Sequence, residues 1–249
     1  MEPESVAILS AAAFATSILS GTLGLAGGML LLGTLLLFLP PLVAIPLHGV
    51  VQLASNASRT ALQWRHVDRG VLWRYALLLL PASAVGLRIA RALPAAALEL
   101  GIGLCVLASV WLPLARWLGV RSDPAAARRR FVALGCISGL LNPALGATGP
   151  LVAPFFLGLG LTRQAIVGSQ AACQMAGHLA KIAVFGAAGF AFAEHAALLA
   201  LLCALVVAGT WVGTRLLDRV DERRFLWLYR SVLSSIALWL ILENARALG

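Results

Sequence analysis

The chain has 249 residues, of which 61% are hydrophobic and 12% are charged, and its formal net charge is +9. A soluble domain carries about 25% charged residues, so this composition excludes an ordinary soluble protein and indicates a polytopic, all-α membrane protein. The positive charge does not indicate nucleic-acid binding, because the arginines stand in short loops between apolar runs, where membrane orientation signals belong.

Residues 6–39 form one apolar run, interrupted in its middle by the glycine-rich segment GTLGLAGG, Gly21–Gly28. A single helix of this length would measure about 50 Å, whereas the hydrocarbon core of a bilayer is about 30 Å thick. We therefore predict two short helices joined by a glycine-rich tip, which form a broken or re-entrant hairpin. Irregular backbone at that depth requires protein or a cavity around it.

Three transmembrane helices are predicted after this hairpin, at residues 44–64, 71–91 and 95–117. A polar segment over residues 116–130 follows and separates two parts of similar length. We expect two repeat halves within one integral membrane domain, residues 1–120 and 121–249.

The second half repeats the plan of the first. A second hairpin is predicted over residues 131–160, broken at NPALGATGP, and it is followed by helices at 163–185, 190–216 and 222–245. Gly86 and Arg88 in the first half recur as Gly213 and Arg215 in the second, at an offset of 127 residues. The pattern predicts two homologous halves, each a hairpin plus three transmembrane helices.

The distribution of arginines predicts the orientation in the membrane. If every apolar run crosses once, the loop and tail arginines split 9 to 7 between the two sides; if both broken segments are hairpins, they split 13 to 3. The positive-inside rule favours the second arrangement, with both termini outside. Three crossings per half turn the second half upside down, which gives the inverted repeat of secondary transporters. Two short full spans in place of each hairpin would give the same parity.

Two of the predicted helices carry the same polar pattern. The first presents His48, Gln52, Asn56 and Arg59 at positions i, i+4, i+8 and i+11; the second presents Gln170, Gln174, His178 and Lys181, each 122 residues further on. On a helix this spacing confines the side chains to an arc of about 80°. A fold that buries two equivalent polar stripes is expected to be built around them.

The cations of the two stripes point to an anion. Burying one cation in a membrane helix costs about 2.5–3.5 kcal/mol, and neither helix offers Arg59 or Lys181 an acid. We therefore expect a bound anion to supply the missing charge. The alternative is that both cations reach lipid headgroups while the amides join helix to helix.

The neutral polar residues of the stripes would complete this substrate site. The members near mid-depth would hydrogen-bond the oxygens of the anion, and they are Gln52, Asn56, Gln174 and His178. His48 and Gln170 lie one turn earlier on their helices. His48 could exchange a proton during transport, or it could only form structural hydrogen bonds.

The two glycine-rich breaks are expected to add backbone donors. Gly27 and Gly28 precede a helix that runs inward from the first tip, and Gly149 precedes one in the second half. The N-terminus of a helix presents free N–H groups and a positive dipole end, which suits an anion. Asn142 and Thr148 would contribute side-chain donors. The alternative is that these glycines only permit close packing.

The sequence gives no indication of an enzyme, a catalytic residue or a metal site. The four cysteines stand singly in apolar segments, without CxxC or Cys/His spacing, and are interpreted as small core residues. Catalytic and nucleotide-binding patterns such as HExxH, GxSxG and the P-loop are absent from the sequence. No cofactor is expected, apart from a coupling proton or ion.

Three segments carry a family resemblance: the glycine-rich GTLGLAGGMLL, the helix with HGVVQLASNASR, and the second copy, GLLNPALGATGPLVAPFFLGLGL with IVGSQAACQMAGHLAK. They resemble the TauE/SafE family of sulfite exporters. The resemblance covers essentially the whole chain. It implies transport of sulfite, sulfonates or sulfoacetate-like anions across the bacterial inner membrane. The family's usual first half has a proline after the glycines. Here Gly33 and Thr34 stand in that region, while the second half keeps Pro154, so the first hairpin is expected to bend differently.

These observations predict a secondary transporter that moves a small, sulfur-containing oxyanion by alternating access. Its partners would be the anion and the lipid bilayer, and nucleic acid is not expected. A homodimer is one option for the oligomeric state, which the sequence leaves open. An anion channel of the same architecture and, with less support, a membrane-embedded enzyme are the alternative functions.

Overall fold

A computed structural model describes most of the chain, namely residues 2–23, 27–112, 124–149, 152, 155–156, 159–216 and 222–248. Every regular element in these ranges is helical, which confirms the predicted all-α class. The expected boundary at residues 120 and 121 lies outside the described residues, as do Pro150 and Pro154 of the second hairpin.

The described part of the first half forms six α-helices: α1 Pro3–Leu23, α2 Gly27–Leu36, α3 Pro41–Leu62, α4 Arg69–Ala76, α5 Leu79–Ala92 and α6 Ala95–Trp111. A short 3-10 turn, Trp64–His66, separates α3 from α4. Pro41 begins α3, because proline suits the first helical position, where the N–H has no partner in any case. Asp68 caps α4 by accepting a hydrogen bond from the Val71 N–H at 3.1 Å.

The described part of the second half contains four α-helices: α7 Pro124–Leu145, α8 Arg163–Ala187, α9 Ala196–Leu216 and α10 Glu222–Leu248. Thr162 caps α8, since its side chain accepts a hydrogen bond from the Ala165 N–H at 3.3 Å. A 3-10 turn over Phe192–His195 leads into α9.

Three predicted helices differ from those observed. The first arm of hairpin one is not short: α1 has 21 residues and continues past Gly21. One glycine weakens a helix by only about 1 kcal/mol, too little to end a helix whose backbone must bond internally in an apolar setting. The second arm, α2, is short as predicted, with 10 residues.

The helix predicted over residues 71–91 is wrong as a single element, since α4 and α5 meet at a 41° bend. Pro81 lacks the N–H that would bond to Leu77, and its ring clashes with that carbonyl, so the helix breaks there. The helix predicted over 95–117 ends at Trp111. The following residue, Leu112, is extended, which is the conformation favoured before Pro113.

Two stretches of the described helices are long and apolar enough to cross a membrane, Pro3–Ser20 and Phe192–Gly213, and α4 with α5 makes a third if the bent pair counts as one span. The stripe-bearing helices have comparable lengths, 22 residues in α3 and 25 in α8, but their polar side chains lower their hydropathy. This pattern fits a membrane protein whose interior helices carry the polar groups.

The most extensive packing joins helices of the first predicted half to helices of the second. The leading helix α1 packs on α9, and α7 packs on α5; α3 packs on α8, and α6 on α10. Glycines make the first two contacts close: Gly213 faces the Ile18 carbonyl and Gly86 faces the Leu140 carbonyl, and neither position has room for a Cβ atom. Exchanging the two predicted halves maps the α1–α9 contact onto the α7–α5 contact, and it maps the α3–α8 and α6–α10 contacts onto themselves.

The short helix α2 lies inside the protein. Eight of its ten residues are buried, among them Leu31 and Leu35, which are fully covered. At its N-terminal end, Gly27 meets α1 at Thr16 and Ser20, and Gly28 meets Gln52 of α3. The helix α10 covers its other side near Gly33. The burial of α2 brings the first glycine break against the polar stripe of α3.

Candidate functional site

Helices α3 and α8 lie side by side and bury both polar stripes. None of the eight predicted stripe residues is more than 7% exposed. Their apolar neighbours, such as Leu47 and Val51 on α3, fill the core on the remaining faces. The polar side chains therefore meet in the interior, between α3 and α8.

A small cavity opens at this meeting point. Its lining comprises Ser20, Gly28, Met29, His48, Gln52, Asn56, Arg59, Ala147, Thr148, Gly149, Gln170, Gln174 and His178. The cavity volume is about 30 Å³. One water molecule needs about 10–15 Å³, so the space suits a compact ion and not a large organic molecule.

The electrostatic character of the cavity is positive. Its described lining contains one arginine and two histidines and no carboxylate. Arg59 is 6% exposed, and its contacts include two hydrogen bonds: Nη2 donates to Asn56 Oδ1 at 2.6 Å, and Nη1 donates to the Ser20 carbonyl at 3.3 Å. Asn56 in turn donates to the Gln52 carbonyl at 2.8 Å, which fixes the amide oxygen toward Arg59.

Lys181 is fully buried and lies behind the cavity wall, not in it. Its Nζ donates to the Gly146 carbonyl at 2.8 Å, just after the end of α7. The same atom lies 3.4 Å from Nδ1 of His48. His48 therefore separates the ammonium group from the cavity.

The hydrogen bonds of His48 define its tautomer. Nε2 lies 2.8 Å from the Gly28 carbonyl, and a carbonyl can only accept, so Nε2 carries a proton. Nδ1 of a neutral ring is then the acceptor for Lys181. The His178 ring stands edge-on to the His48 ring, with centroids 5.7 Å apart.

Three neutral residues of the cavity lining carry polar atoms that find no hydrogen-bond partner among the described residues. These atoms are Oγ1 of Thr148, Nε2 of Gln174 and Nδ1 of His178. All three side chains are more than nine-tenths buried. Because leaving a buried polar atom unpaired costs about 1–3 kcal/mol, these atoms require a partner in the cavity.

Both helix breaks reach the cavity. Gly28 lies in the first turn of α2 and lines the wall. In the second half, Gly149 is helical, and the Val152 N–H donates to the Thr148 carbonyl at 3.2 Å, so a helical turn begins at Thr148. Thr148 and Gly149 line the same cavity from the opposite half.

Ten of the thirteen site residues predicted from the sequence line the cavity. The remaining three are Gly27, Asn142 and Lys181. A Cβ at Gly27 would collide with the Thr16 carbonyl, which supports the packing role for that glycine. Asn142 is buried beside Gly177 and does not line the cavity.

Three lining residues were not predicted: Ser20, Met29 and Ala147. Ser20 contributes its backbone carbonyl to Arg59, and a backbone contact leaves no side-chain signal. Met29 and Ala147 adjoin predicted residues in sequence and belong to the same two breaks. Proximity to the glycine segments was the only available indication for them.

The comparisons with known proteins agree with the sequence resemblance. The family model described as "Sulfite exporter TauE/SafE" matches residues 9–240. The comparisons with curated proteins and with solved structures found no match. The family consists of membrane transporters of sulfur anions, not of enzymes, and a match over nearly the whole chain confirms the resemblance. The chain belongs to the TauE/SafE sulfite exporter family.

Proposed function

We propose that this protein is a secondary transporter that carries a small sulfur oxyanion across the bacterial inner membrane and binds it in the cavity between α3 and α8. The observation that carries the proposal is the pairing of positive charge with unpartnered atoms. Arg59 supplies the charge, and Gln174 Nε2 and His178 Nδ1 lack partners among the described residues. An oxyanion satisfies both requirements at once.

The proposed binding mode uses both halves. From the first half, Arg59 faces the anion and Gln52 and Asn56 lie along the same wall. From the second half, Gln174 and His178 donate to its oxygens. Gln170, His48 and Thr148 complete the polar lining, and the breaks at Gly28 and Gly149 bring helix N-termini near the bound charge. Lys181 acts on the anion through His48.

The cavity favours compact substrates. Its volume of about 30 Å³ holds about two or three water molecules, which favours a compact anion such as sulfite. A sulfonate with an organic tail would require the two halves to separate further. We therefore place sulfite first among the candidate substrates, ahead of sulfonates and sulfoacetate-like anions.

An inverted repeat with halves at residues 1–120 and 121–249 is the proposed framework for alternating access. The exchange of partners between halves supports it: α1 packs on α9 as α7 packs on α5. The cavity receives one stripe and one helix break from each half. Rocking of one half against the other would expose such a site to each side in turn.

The proposed orientation places both termini outside and the arginine-rich loops in the cytoplasm. Two exposed positions, His66 between α3 and α4 and Glu194 before α9, should then lie on opposite sides. Single cysteines placed there in a background without the four native cysteines would be labelled with an impermeant maleimide. Labelling of both from the same side of intact cells would contradict this topology.

Transport itself is tested by counterflow in proteoliposomes. Vesicles loaded with unlabelled sulfite should accumulate external radiolabelled sulfite transiently, and methanesulfonate and sulfoacetate would be compared in the same assay. A transporter saturates and shows this exchange because each cycle carries a bound anion. An anion channel would give flux without transient accumulation, and absence of any flux for all three anions would overturn the proposal.

A further inference from the structure

A continuous hydrogen-bonded chain crosses from one half of the protein to the other behind the cavity. It runs from the Gly28 carbonyl to His48 Nε2 at 2.8 Å, from His48 Nδ1 to Lys181 Nζ at 3.4 Å, and from Nζ to the Gly146 carbonyl at 2.8 Å. Its two ends are the two helix breaks. The only side chains in it are a histidine and the only lysine of the sequence.

This chain accommodates one excess proton and not two. Gly28 and Gly146 offer carbonyls, which accept only, so each end of the chain requires an N–H. With Lys181 as ammonium, His48 Nδ1 must be unprotonated to accept from it. With His48 as imidazolium, Lys181 must be a neutral amine to accept from Nδ1. Protonating both would set two N–H groups against each other at 3.4 Å in a buried site.

Within the described ranges, no buried carboxylate near the pair offsets the positive charge that its proton brings, so a bound anion is needed to offset it. The buried titratable groups around it in the described structure are His178 and Cys173 on α8, Arg59 on α3 and Tyr75 on α4. None is a carboxylate. The other charged side chains of the elements that pack on α3 and α8, where the structure describes them, are at least partly exposed: Arg65, His66, Asp68, Arg69, Arg74, Arg88, Arg91, Glu99, Arg128, Arg129, Arg130, Glu194, His195 and Arg215.

We propose that the Lys181–His48 pair is the binding site of a coupling proton, which enters and leaves with the transported anion. This inference rests on the proposed transport function. With the anion in the cavity, the pair holds one proton as an N–H bond on Lys181 Nζ or His48 Nδ1. When the anion leaves, that N–H bond breaks and the proton passes to water on the same side of the membrane.

Coupling follows because the two ligands stabilise each other. The anion offsets the positive charge of the pair across the His48 ring, and the protonated pair in turn attracts the anion. If the anion strengthens proton binding by a given factor, the proton must strengthen anion binding by the same factor. Anion and proton would therefore move in the same direction.

The unique lysine allows the proton to be observed directly. Protein expressed with ¹⁵N-lysine, and carrying a purification tag without lysine, gives one side-chain signal, and the Nζ chemical shift distinguishes ammonium from amine. We expect a larger protonated fraction of the pair at a given pH in the presence of sulfite than in its absence. An Nζ signal that is identical with and without sulfite across the pH range would overturn the inference.

Transport assays provide the second arm. An inward proton gradient should drive sulfite accumulation in vesicles that contain the wild type, with the membrane potential clamped at zero. Protein-free vesicles are the control, because the gradient also changes the protonation of sulfite itself. Lys181→Arg keeps the charge but cannot release it, so its gradient-driven accumulation, measured relative to its own counterflow, should fall below that of the wild type. His48→Gln should also lose the gradient response, whereas His66→Gln, in the exposed turn, serves as the matched control.

The outcomes separate the two proposals. If the wild type shows counterflow but its sulfite accumulation does not depend on the proton gradient, the coupling site is overturned and the transport function stands. Absence of counterflow for every anion tested would overturn both. If the variants fail to fold, the NMR titration and the gradient experiment on the wild type still decide.

Discussion

Arg59 and Lys181, 122 residues apart, each donate to a carbonyl at the C-terminal end of a leading helix: Arg59 to Ser20 of α1 at 3.3 Å, and Lys181 to Gly146 after α7 at 2.8 Å. Both acceptors are backbone carbonyls and not carboxylates. The C-terminal end of a helix carries about half a negative charge. Each cation is partly compensated, and a net positive charge remains for an anion.

Replacing Arg59 by glutamine should reduce sulfite transport strongly. The variant loses the cation in the cavity wall, and a hydrogen bond to a charged group contributes about 1.5–3 kcal/mol, which corresponds to a loss of about tenfold to a hundredfold in affinity. The measurement is the half-saturating sulfite concentration in counterflow. Arg59→Lys, which keeps the charge, is the matched control and should lose less. Equal affinity in Arg59→Gln and the wild type would contradict the binding mode.

Gln174 tests the unpartnered donors. Gln174→Leu removes the amide without adding charge, and we expect a loss of affinity of about 0.5–1.5 kcal/mol, the usual contribution of a neutral hydrogen bond. Gln174→Glu is similar in size but places a carboxylate in the cavity and should abolish sulfite binding. Measured in counterflow, sulfite affinity should decrease from the wild type to Gln174→Leu and again to Gln174→Glu. Retained sulfite transport in Gln174→Glu would contradict this binding mode.

Gly213 tests the contact between the halves. An alanine there has no room beside the Ile18 carbonyl, so α9 would have to move away from α1, and overpacking of this kind costs about 1–3 kcal/mol. Gly101→Ala is the control, because its Cβ would meet only Leu145 Cδ2 at 3.5 Å. Thermal unfolding in detergent should show a lower Tm for Gly213→Ala and little change for Gly101→Ala. Similar Tm values for the two variants would rule out the close contact.

Asp68 joins three elements outside the membrane-spanning segments. It caps α4, its carboxylate accepts from Arg128 Nη2 at 2.9 Å, and its N–H donates to Ser169 Oγ at 2.8 Å. Partial burial alone would raise the pKa of Asp68, but the bonds from Arg128 and Val71 outweigh burial and hold this pKa below its usual value. The carboxylate therefore stabilises the fold in its ionised form.

Variants of Asp68 should lose stability according to whether they keep the cap and the ionised carboxylate. Asp68→Ala loses the cap and the ion pair and should cost about 1–2 kcal/mol, while Asp68→Asn keeps a cap and should cost less. Because the folded-state pKa is lowered, the contribution is complete above the unfolded-state pKa of about 3.9 and is lost as pH falls through the lower folded-state value. Unfolding measured as a function of pH should therefore show the wild type and Asp68→Asn converging in acid. A constant difference down to low pH would refute the ion pair.

The helical stripes could be predicted from the sequence because periodicity within one helix is a local property. The spacing of Gln52, Asn56 and Arg59 fixes a common face whatever lies opposite, and duplication in α8 showed that two such faces exist. The burial of those faces follows from the cost of exposing polar groups to lipid. The family resemblance, confirmed over residues 9–240, rests on the same segments.

The relation of Lys181 to the cavity could not be predicted in this way. Its position behind His48 depends on how α3 and α8 rotate against each other, and periodicity within a helix carries no such information. The carbonyls of Ser20 and Gly146 are backbone groups, which any residue provides. The bend between α4 and α5 lies next to Pro81, since proline usually breaks or kinks a helix, but the apolar pattern of residues 71–91 continues across it.

The complete burial of Lys181 has a practical consequence. As the chain contains a single lysine and its side chain has no exposed surface, amine-reactive reagents find no lysine target in the closed protein. Any acylation of Lys181 must then wait for the α3–α8 interface to open. The rate of acylation, followed by intact-protein mass spectrometry with and without sulfite, would report how often the α3–α8 interface opens.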